Sequence, residues 1–286
     1  MSTAINMNYN SLKNIIIENN MKTNFVYCKT DPRFKAVYQN YEWCYQKFMI
    51  EGLNHDEMAL EANCSKRVVE KWCCEKHRLT QKYRQKHTKL NSTQKDLIIG
   101  SLIGDGHIDK REGQSLFIVS HAENQKDYLF WKYELLKNLC NKKPSYIKGS
   151  NKIFSNGKSY KCQPSYRLCT RIYDVLEKFK KMSTSDIIKN LNKFSLSVFM
   201  LDDGYRNEYS WEICVANFSD EEKHLFLKVL KDNWGIVGNI VPSDHRYIVY
   251  SKCNKDKIDE IILSQIPNDL DIIKYKILDK RNSSER

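Results

Sequence analysis

The sequence predicts an α+β protein in which two related repeats of mixed helices and strands follow a small all-α domain. An apolar helical segment that ends in Asp-Gly occurs twice, with its aspartates at Asp105 and Asp203, 98 residues apart. A strand-like segment and then an amphipathic helix follow each copy, which indicates a diverged tandem repeat. Before residue 80 the apolar residues recur at helical spacing, which predicts the all-α domain.

Length and charge narrow the class of protein. The chain has 286 residues, with 47 Lys and Arg against 35 Asp and Glu, a formal net charge of +12. This excess predicts a polyanionic partner. No apolar stretch approaches the roughly 20 residues that cross a bilayer, and no signal peptide is apparent, so we expect no membrane partner. The abundance of Lys, Asn and Ile suggests an AT-rich coding genome, and we expect a cytoplasmic protein of a phage or bacterial host, with an organelle matrix as the alternative.

The ten cysteines do not form paired metal-ligand motifs. The one local cluster is Cys73, Cys74 and His77, and a structural zinc site usually needs two spaced pairs. We therefore expect reduced thiols that act as small core residues.

The pattern divides the chain into five segments. Residues 1–36 form a tail or a short helix, 37–80 a helix-turn-helix domain, and 81–93 a basic linker. Residues 94–190 and 191–286 form the two repeats.

The first domain is predicted from its helix boundaries. Helical spacing over 37–51 ends at Gly52, and Asn54 is placed to cap a second helix. Asn63 follows at a turn, where Asn tolerates a left-handed backbone, and Ser65 opens a third helix. These residues resemble the helix-turn-helix of DNA-binding proteins. The resemblance implies that the third helix contacts DNA through Lys66, Arg67 and Lys71. The charge of the basic run after it predicts an arm along phosphates that includes Arg78, Lys82 and Arg84, with a solvated linker as the alternative. A plain three-helix packing unit is the alternative.

The Asp-Gly helices contain small residues that allow close packing. Gly100 and Gly104 in the first copy and Ser197 in the second would let the two helices approach each other. Asp105 and Asp203 would then meet at the helix ends. Two neighbouring carboxylates repel each other unless they share a proton or a cation, which predicts a divalent metal site.

These segments, 97–106 and 196–204, resemble the LAGLIDADG motif of homing endonucleases, and the stretch from about 93 to 278 is similar to the single-chain, double-motif form. The resemblance implies two pseudo-symmetric αββαββα halves whose sheets form a saddle on double-stranded DNA. It implies that a monomer cuts one long target into a staggered double-strand break, with one aspartate for each strand.

The resemblance also implies the site residues. Asp105 and Asp203, with Gly104 and Asp202 beside them, would hold Mg²⁺, for which Mn²⁺ can substitute, and Lys276 and Lys181 would assist cleavage. The implied DNA contacts of the two halves are His107, Lys110, Arg111, Gln114, Lys158, Lys161, Arg167, Arg171, Arg206, Arg246 and Lys252.

The sequence leaves two alternatives open. Some proteins of this type act as maturases that bind group I intron RNA, and the positive charge suits RNA equally well. Certain bacterial transcription regulators join a degenerate LAGLIDADG domain to a helix-turn-helix. The regulator alternative expects the motif acids to be lost, whereas both motif aspartates are present here.

Overall fold

The computed structural model describes residues 36–111, 114–153, 159–241, 247–250 and 252–278. The predicted segment 1–36 thus lies almost wholly outside the described residues. The chain divides into two compact units, Met1–Arg84 and Gln85–Arg286. The division falls inside a helix, Gln81–His87, so much of the predicted linker is helical.

The first unit consists of short helices around a small core. Helix α1 (Tyr41–Tyr45) continues as a wider helical turn over Gln46–Ile50, and α2 covers His55–Glu61. Helix α3 (Lys66–Glu70) continues through Lys71–Lys76, and α4 is Gln81–His87. Phe48, Met58, Val69 and Cys73 are fully buried between them.

The predicted helix boundaries of this unit are observed. Gly52 has a φ of 76°, and Asn63, between α2 and α3, has a φ of 48°. The side chain of Asn54 accepts hydrogen bonds from the backbone amides of Asp56 and Glu57 at the start of α2. Ser65 occupies the N-cap position of α3 without a side-chain capping bond.

The first repeat begins with the motif helix α5 (Ser92–Leu102) and the hairpin β1 (Gly106–Arg111) and β2 (Gln114–Ala122). Helix α6 (Lys126–Leu136) follows, and β3 (Ser145–Ile147) and β6 (Ser165–Cys169) complete an antiparallel sheet of order β1-β2-β6-β3. An additional hairpin, β4 (Ser150–Ile153) and β5 (Ser159–Cys162), lies between them. Helices α7 (Glu177–Lys180) and α8 (Thr184–Lys189) end the repeat.

Apart from the β4–β5 hairpin, the described residues of the second repeat have the same order of elements. The motif helix α9 (Lys193–Asp203) leads into β7 (Gly204–Arg206) and β8 (Trp211–Cys214), and then α10 (Asp220–Trp234). Strands β9 (Asn239–Ile240) and β10 (Tyr247–Tyr250) complete a sheet of order β7-β8-β10-β9. Helices α11 (Lys252–Gln265) and α12 (Asp271–Ile273), the latter extended by Lys274–Leu278, follow. The predicted pair of αββαββα repeats is confirmed.

The two motif helices form the centre of one continuous core that both repeats share. Each helix starts at a capping box, formed by Asn91 with Gln94 and by Asn192 with Ser195. At their crossing, a Cβ atom on Gly100 would lie 2.3 Å from the backbone oxygen of Ser195. The helices therefore approach to a separation that only glycine permits. Within the described part of the chain, no helix is both long and apolar enough to span a membrane.

We expect Gly100→Ala to destabilise the protein. Alanine would add about 1 kcal/mol of helix propensity at an open site, but overpacking at this crossing should outweigh it and lower the free energy of unfolding by about 1–3 kcal/mol. Urea unfolding measures the change. Lys95→Ala, on the exposed face of the same helix, is the control and should be nearly neutral. A stabilised Gly100→Ala variant would show that the helices are not in close contact.

Candidate active site and nucleic-acid interface

The C-terminal ends of the two motif helices bring three carboxylates together. Gly104 and Asp202 face each other there, and a Cβ atom on Gly104 would lie 2.6 Å from that of Asp202. The backbone amide of Asp105 lies 3.5 Å from Oδ2 of Asp202. The absence of a side chain at Gly104 thus makes room for the Asp202 carboxylate between the repeats.

Asp105 is the carboxylate nearest to His121. Nδ1 of His121 lies 3.1 Å from Oδ2 of Asp105, and the His121 side chain is fully buried. Neither ring nitrogen makes an aligned hydrogen bond. Burial favours a higher pKa for Asp105, but His121, and then the positive charges of Lys132 and Lys276, outweigh it, so the pKa lies below its usual value.

Asp202 is a buried anion with a buried cation as its partner. Nζ of Lys132 lies 2.7 Å and 2.9 Å from the two Asp202 oxygens, and both side chains are fully buried. The hydroxyl of Tyr128 donates to Oδ1 of Asp202 at 3.0 Å. Lys132 also donates to the hydroxyl of Ser101 on α5 at 3.2 Å. This network ties α6 of the first repeat to both motif helices.

Asp203 is the third carboxylate. Burial, followed by the negative charges of Asp105 and Asp202, raises the pKa of Asp203 to about 7. Nζ of Lys276 donates to the carbonyl oxygens of Leu201 and Gly204, on either side of Asp203. A cation is favourable at this position because the carbonyls at a helix C-terminus carry partial negative charge.

These groups are suitable for holding a divalent cation. One oxygen each of Asp105 and Asp202 and a ring nitrogen of His121 lie within 4.8 Å of one another. Neither ring nitrogen of buried His121 makes an aligned hydrogen bond within the described residues, which suits a metal ligand, and carboxylate oxygens suit Mg²⁺ and Mn²⁺. The charge of Lys132 disfavours a cation on the Asp202 side, so Asp105 is the more favourable first ligand.

Comparison with known proteins identifies the family. The model of the LAGLIDADG DNA endonuclease family matches residues 95–257, more than half of the chain. The chain belongs to the LAGLIDADG DNA endonuclease family. The matched residues contain α9, both sheets and all of α5 but its first three residues.

Individual relatives are distant. Protein RecA of Mycolicibacterium flavescens is 25% identical over 213 residues, which are 66% of this chain and 47% of that protein, so the chain spans about half the length of this relative. DNA endonuclease I-ChuI of Chlamydomonas applanata is 25% identical over 166 residues, 51% of this chain and 75% of that protein. A solved structure of the homing endonuclease I-WcaI bound to its DNA recognition sequence has 18% identity and a TM-score of 0.55, covering 66% of this chain and 88% of that one. This structural similarity supports the LAGLIDADG fold.

The predicted DNA contacts of the first repeat divide between two sides of the sheet. His107 and Arg111 on β1 and Arg167 on β6 are exposed, as is Gln114 at the start of β2. Lys110 points to the opposite side of β1, because side chains alternate along a strand. Its Nζ lies 3.4 Å from Glu177 on α7.

The prediction that Arg84 and Arg206 contact DNA is wrong, because both side chains are buried. Arg84 is 1% exposed, lies 3.5 Å over the Phe48 ring and donates to the carbonyl of Leu53. Arg206 is also 1% exposed and forms a bidentate ion pair with Asp259. Both guanidinium groups lie within the cores of their units and are not available to a ligand.

Of the remaining predicted DNA contacts of the two repeats, the structure describes the side chain of one. Arg171 is partly buried beyond the end of β6, and its guanidinium lies 3.4 Å from the carbonyl of Asn138. Lys158 and Arg246 lie outside the described residues, and the side chains of Lys161 and Lys252 are likewise not described.

The two predicted assisting lysines differ in position. Lys276 lies at the end of α9, next to the acids. Lys181 is 73% exposed and pairs with Glu177 at 3.8 Å, so the structure does not bring it to Asp105. Its neighbour Lys180 donates to the carbonyl of Ile108 on β1.

In the first unit, the predicted contact residues of α3 are exposed. Lys66, Arg67 and Lys71 lie on its surface, and Lys66 forms an ion pair with Asp56 at 2.9 Å. Arg78 and Lys82, which follow α3, are exposed as well. Cys73 is buried in the core, as expected for a small apolar residue.

Sequence reasoning assigned no role to His121, Lys132 or Tyr128. Two signals were available. His121 continues the alternation of the buried residues Phe117 and Val119 along β2. Lys132 lies three residues after Leu129 on the buried face of α6, where a lysine needs an anionic partner.

We expect Asp203→Asn to raise stability at about pH 8 in EDTA. Because folding raises the pKa of Asp203 to about 7, the folded state binds the proton more tightly, and stability is lost as pH rises from about 4 through about 7. Because asparagine does not ionise, the Asp203→Asn variant does not lose this stability as the pH rises. Allowing for solvent screening, we expect a gain of about 1–2 kcal/mol.

Urea unfolding at about pH 4 and pH 8 measures this effect, with Asp232→Asn, an exposed acid on α10, as the control. The gain should vanish at the lower pH. An equal gain at both pH values would indicate a cause other than ionisation.

Proposed function

We propose that this chain is a site-specific homing endonuclease that makes a metal-dependent, staggered double-strand break in a long DNA target, whether intron-encoded or free-standing. The whole reaction belongs to one chain, which would act as a monomer because it contains both motif helices. The protein would bind its DNA target in the bacterial cytoplasm or in an organelle matrix.

One observation carries the proposal. Asp105 and Asp203 lie at the ends of two crossed motif helices, close enough for the charge of Asp105 to raise the pKa of Asp203. Acids are unfavourable at helix C-termini and beside each other, so a function best explains their retention in both repeats. The family membership of the chain supports DNA cleavage as that function.

The roles of the residues follow from their contacts. Asp105 and Asp203 would hold Mg²⁺, or Mn²⁺ in its place, with His121 beside Asp105. A bound divalent ion supplies charge stabilisation to the phosphate and lowers the pKa of water. Lys276 fixes the backbone on both sides of Asp203 through the carbonyls of Leu201 and Gly204, and its charge also stabilises the ionised acids.

The DNA would lie along the two sheets, which in this proposal form a saddle. His107, Arg111 and Arg167 on the first sheet would contact phosphates and base edges. In the first unit, the exposed basic residues of α3 would contact a further part of the duplex, which would lengthen the recognised site.

Cleavage of a randomised duplex library tests the reaction. With Mg²⁺ we expect breaks at one long motif, and with EDTA no breaks, because the acids need a cation to act on phosphate. Asp105→Asn and Asp203→Asn should each abolish double-strand cutting, while the control Asp232→Asn should cut normally. Sequencing of the library ends measures the cutting by each variant and under each metal condition.

Binding without cutting would contradict the endonuclease proposal. If the wild-type protein binds DNA and cuts it under no metal condition, the regulator alternative is favoured. If it binds intron RNA more tightly than any duplex, the maturase alternative is favoured. The purified wild-type protein and the same metals serve for both measurements.

A second measurement tests the helix-turn-helix. Replacing Lys66, Arg67 and Lys71 with alanine should weaken binding to the selected target. If each contacts one phosphate, the slope of log affinity against log salt should fall by about 3. Filter binding at several salt concentrations measures the slope.

The matched control replaces three exposed lysines of the second unit, Lys189, Lys228 and Lys231, with alanine. This variant loses the same charge but should keep most of the salt dependence. Equal losses in the two triple variants would mean that α3 contributes only general charge.

A further inference from the structure

The buried Lys132 and Asp202 pair makes the two repeats unequal. Asp202 belongs to the second motif helix, yet its carboxylate contacts residues of the first repeat. Lys132 approaches it at 2.7 Å and Tyr128 at 3.0 Å, and Nε2 of His121 lies 3.8 Å away. The side chains of His121, Lys132 and Asp202 are all fully buried.

The described residues of the second repeat contain no matching arrangement. The residue equivalent to Asp202 is Gly104, since each precedes its motif aspartate, and it has no side chain. Strand register gives the equivalent of His121. Gly106 pairs with Val119, and Gly204 pairs with Ile213, so the residue two positions further on in the second repeat is Val215. Val215 is 1% exposed and apolar.

The surroundings of Asp105 are thus built by both repeats. Asp202 lies 3.5 Å from the backbone amide of Asp105 and 3.8 Å from the imidazole that Asp105 contacts. Lys132 offsets the Asp202 charge, so that an additional anion does not stand uncompensated beside Asp105. Tyr128 packs on His121 with ring centroids 5.0 Å apart, which holds the imidazole in place.

We propose that Lys132 and Asp202 are positioning residues for the Asp105 site alone, and that they set its cation affinity and the cutting rate of the strand that Asp105 serves. This rests on the proposed endonuclease function. The pair acts through Asp105 and His121 and does not touch the DNA. The alternative is a purely structural ion pair that joins the repeats, which would affect both strands alike.

The first test is Mn²⁺ binding to the full chain without DNA, measured by electron paramagnetic resonance. Asp202→Asn leaves the charge of Lys132 without its partner anion, so Mn²⁺ affinity at the Asp105 site should fall by about 10-fold or more. Lys132→Met leaves Asp202 without its cation, so the affinity there should rise. A structural pair predicts the same direction for both variants, and that result would overturn the proposal.

Further variants assign the site and control for folding. The affected Mn²⁺ should be the one lost in Asp105→Asn and retained in Asp203→Asn. Asp220→Asn and Lys223→Met, which break a pair 2.9 Å apart on α10, should leave Mn²⁺ binding unchanged. Asp202→Asn is nearly isosteric, so if Lys132→Met does not fold, Asp202→Asn still decides the question through the cutting rates of the two strands.

The second test is the cutting rate of each strand, on a duplex target labelled at both 5′ ends. Asp202→Asn should slow the strand lost in Asp105→Asn by about 10- to 100-fold and leave the other within about 2-fold. Equal slowing of both strands would overturn the proposal. If the wild-type protein cuts neither strand, the endonuclease function fails, and the opposite Mn²⁺ shifts still decide the positioning role.

Discussion

The close approach of the two motif helices is the constraint on which the rest of the second unit depends. Gly100 lets the backbone of α9 come within contact distance of α5, and Gly104 leaves the space that Asp202 fills. Both sheets and the shared core are arranged around this crossing. Because Gly104 lies against Asp202 at the ends of the two helices, the terminal acids are brought together, and the electrostatics of the site follow from the packing.

Three carboxylates in one place need compensating partners inside the protein. The cations are Lys132, which compensates Asp202, and Lys276 at the end of α9, while His121 lies beside Asp105. These partners come from α6, β2 and the C-terminal helical segment, so elements that are remote in sequence depend on one another at the site. The same positive charges limit how much negative charge remains for a bound cation.

The sequence predicts the repeat architecture well because the periodicity of apolar residues and the residues that begin and end helices determine it. Apolar helices that end in Asp-Gly, alternating strands and capping residues such as Asn54 specify local structure, and the structure contains them. The left-handed backbone at Asn63 is likewise expected from residue type. The repeated Asp-Gly endings also bring Asp105 and Asp203 to one site.

The roles of individual side chains are harder to predict from the sequence, because the charge of a residue does not show whether its side chain is buried. Arg84 and Arg206 belong to a basic chain and were assigned to its surface, yet each has partners contributed by distant segments, which only the tertiary fold supplies. His121 and Lys132 were missed for the same reason. The periodicity of β2 and α6 places them inside, but their partner Asp202 lies 70 residues or more further along the chain.

The Gly104 and Asp202 contact also means that neither repeat can replace the other. A symmetric dimer of the first repeat would put two glycines at the crossing and leave two Lys132 ammonium groups buried without an anion. A dimer of the second repeat would force two Asp202 side chains into the space that now holds one. The pairing of two unlike halves is therefore a requirement of this core, and exchange of repeats between such chains would succeed only when both members of the contact are exchanged together.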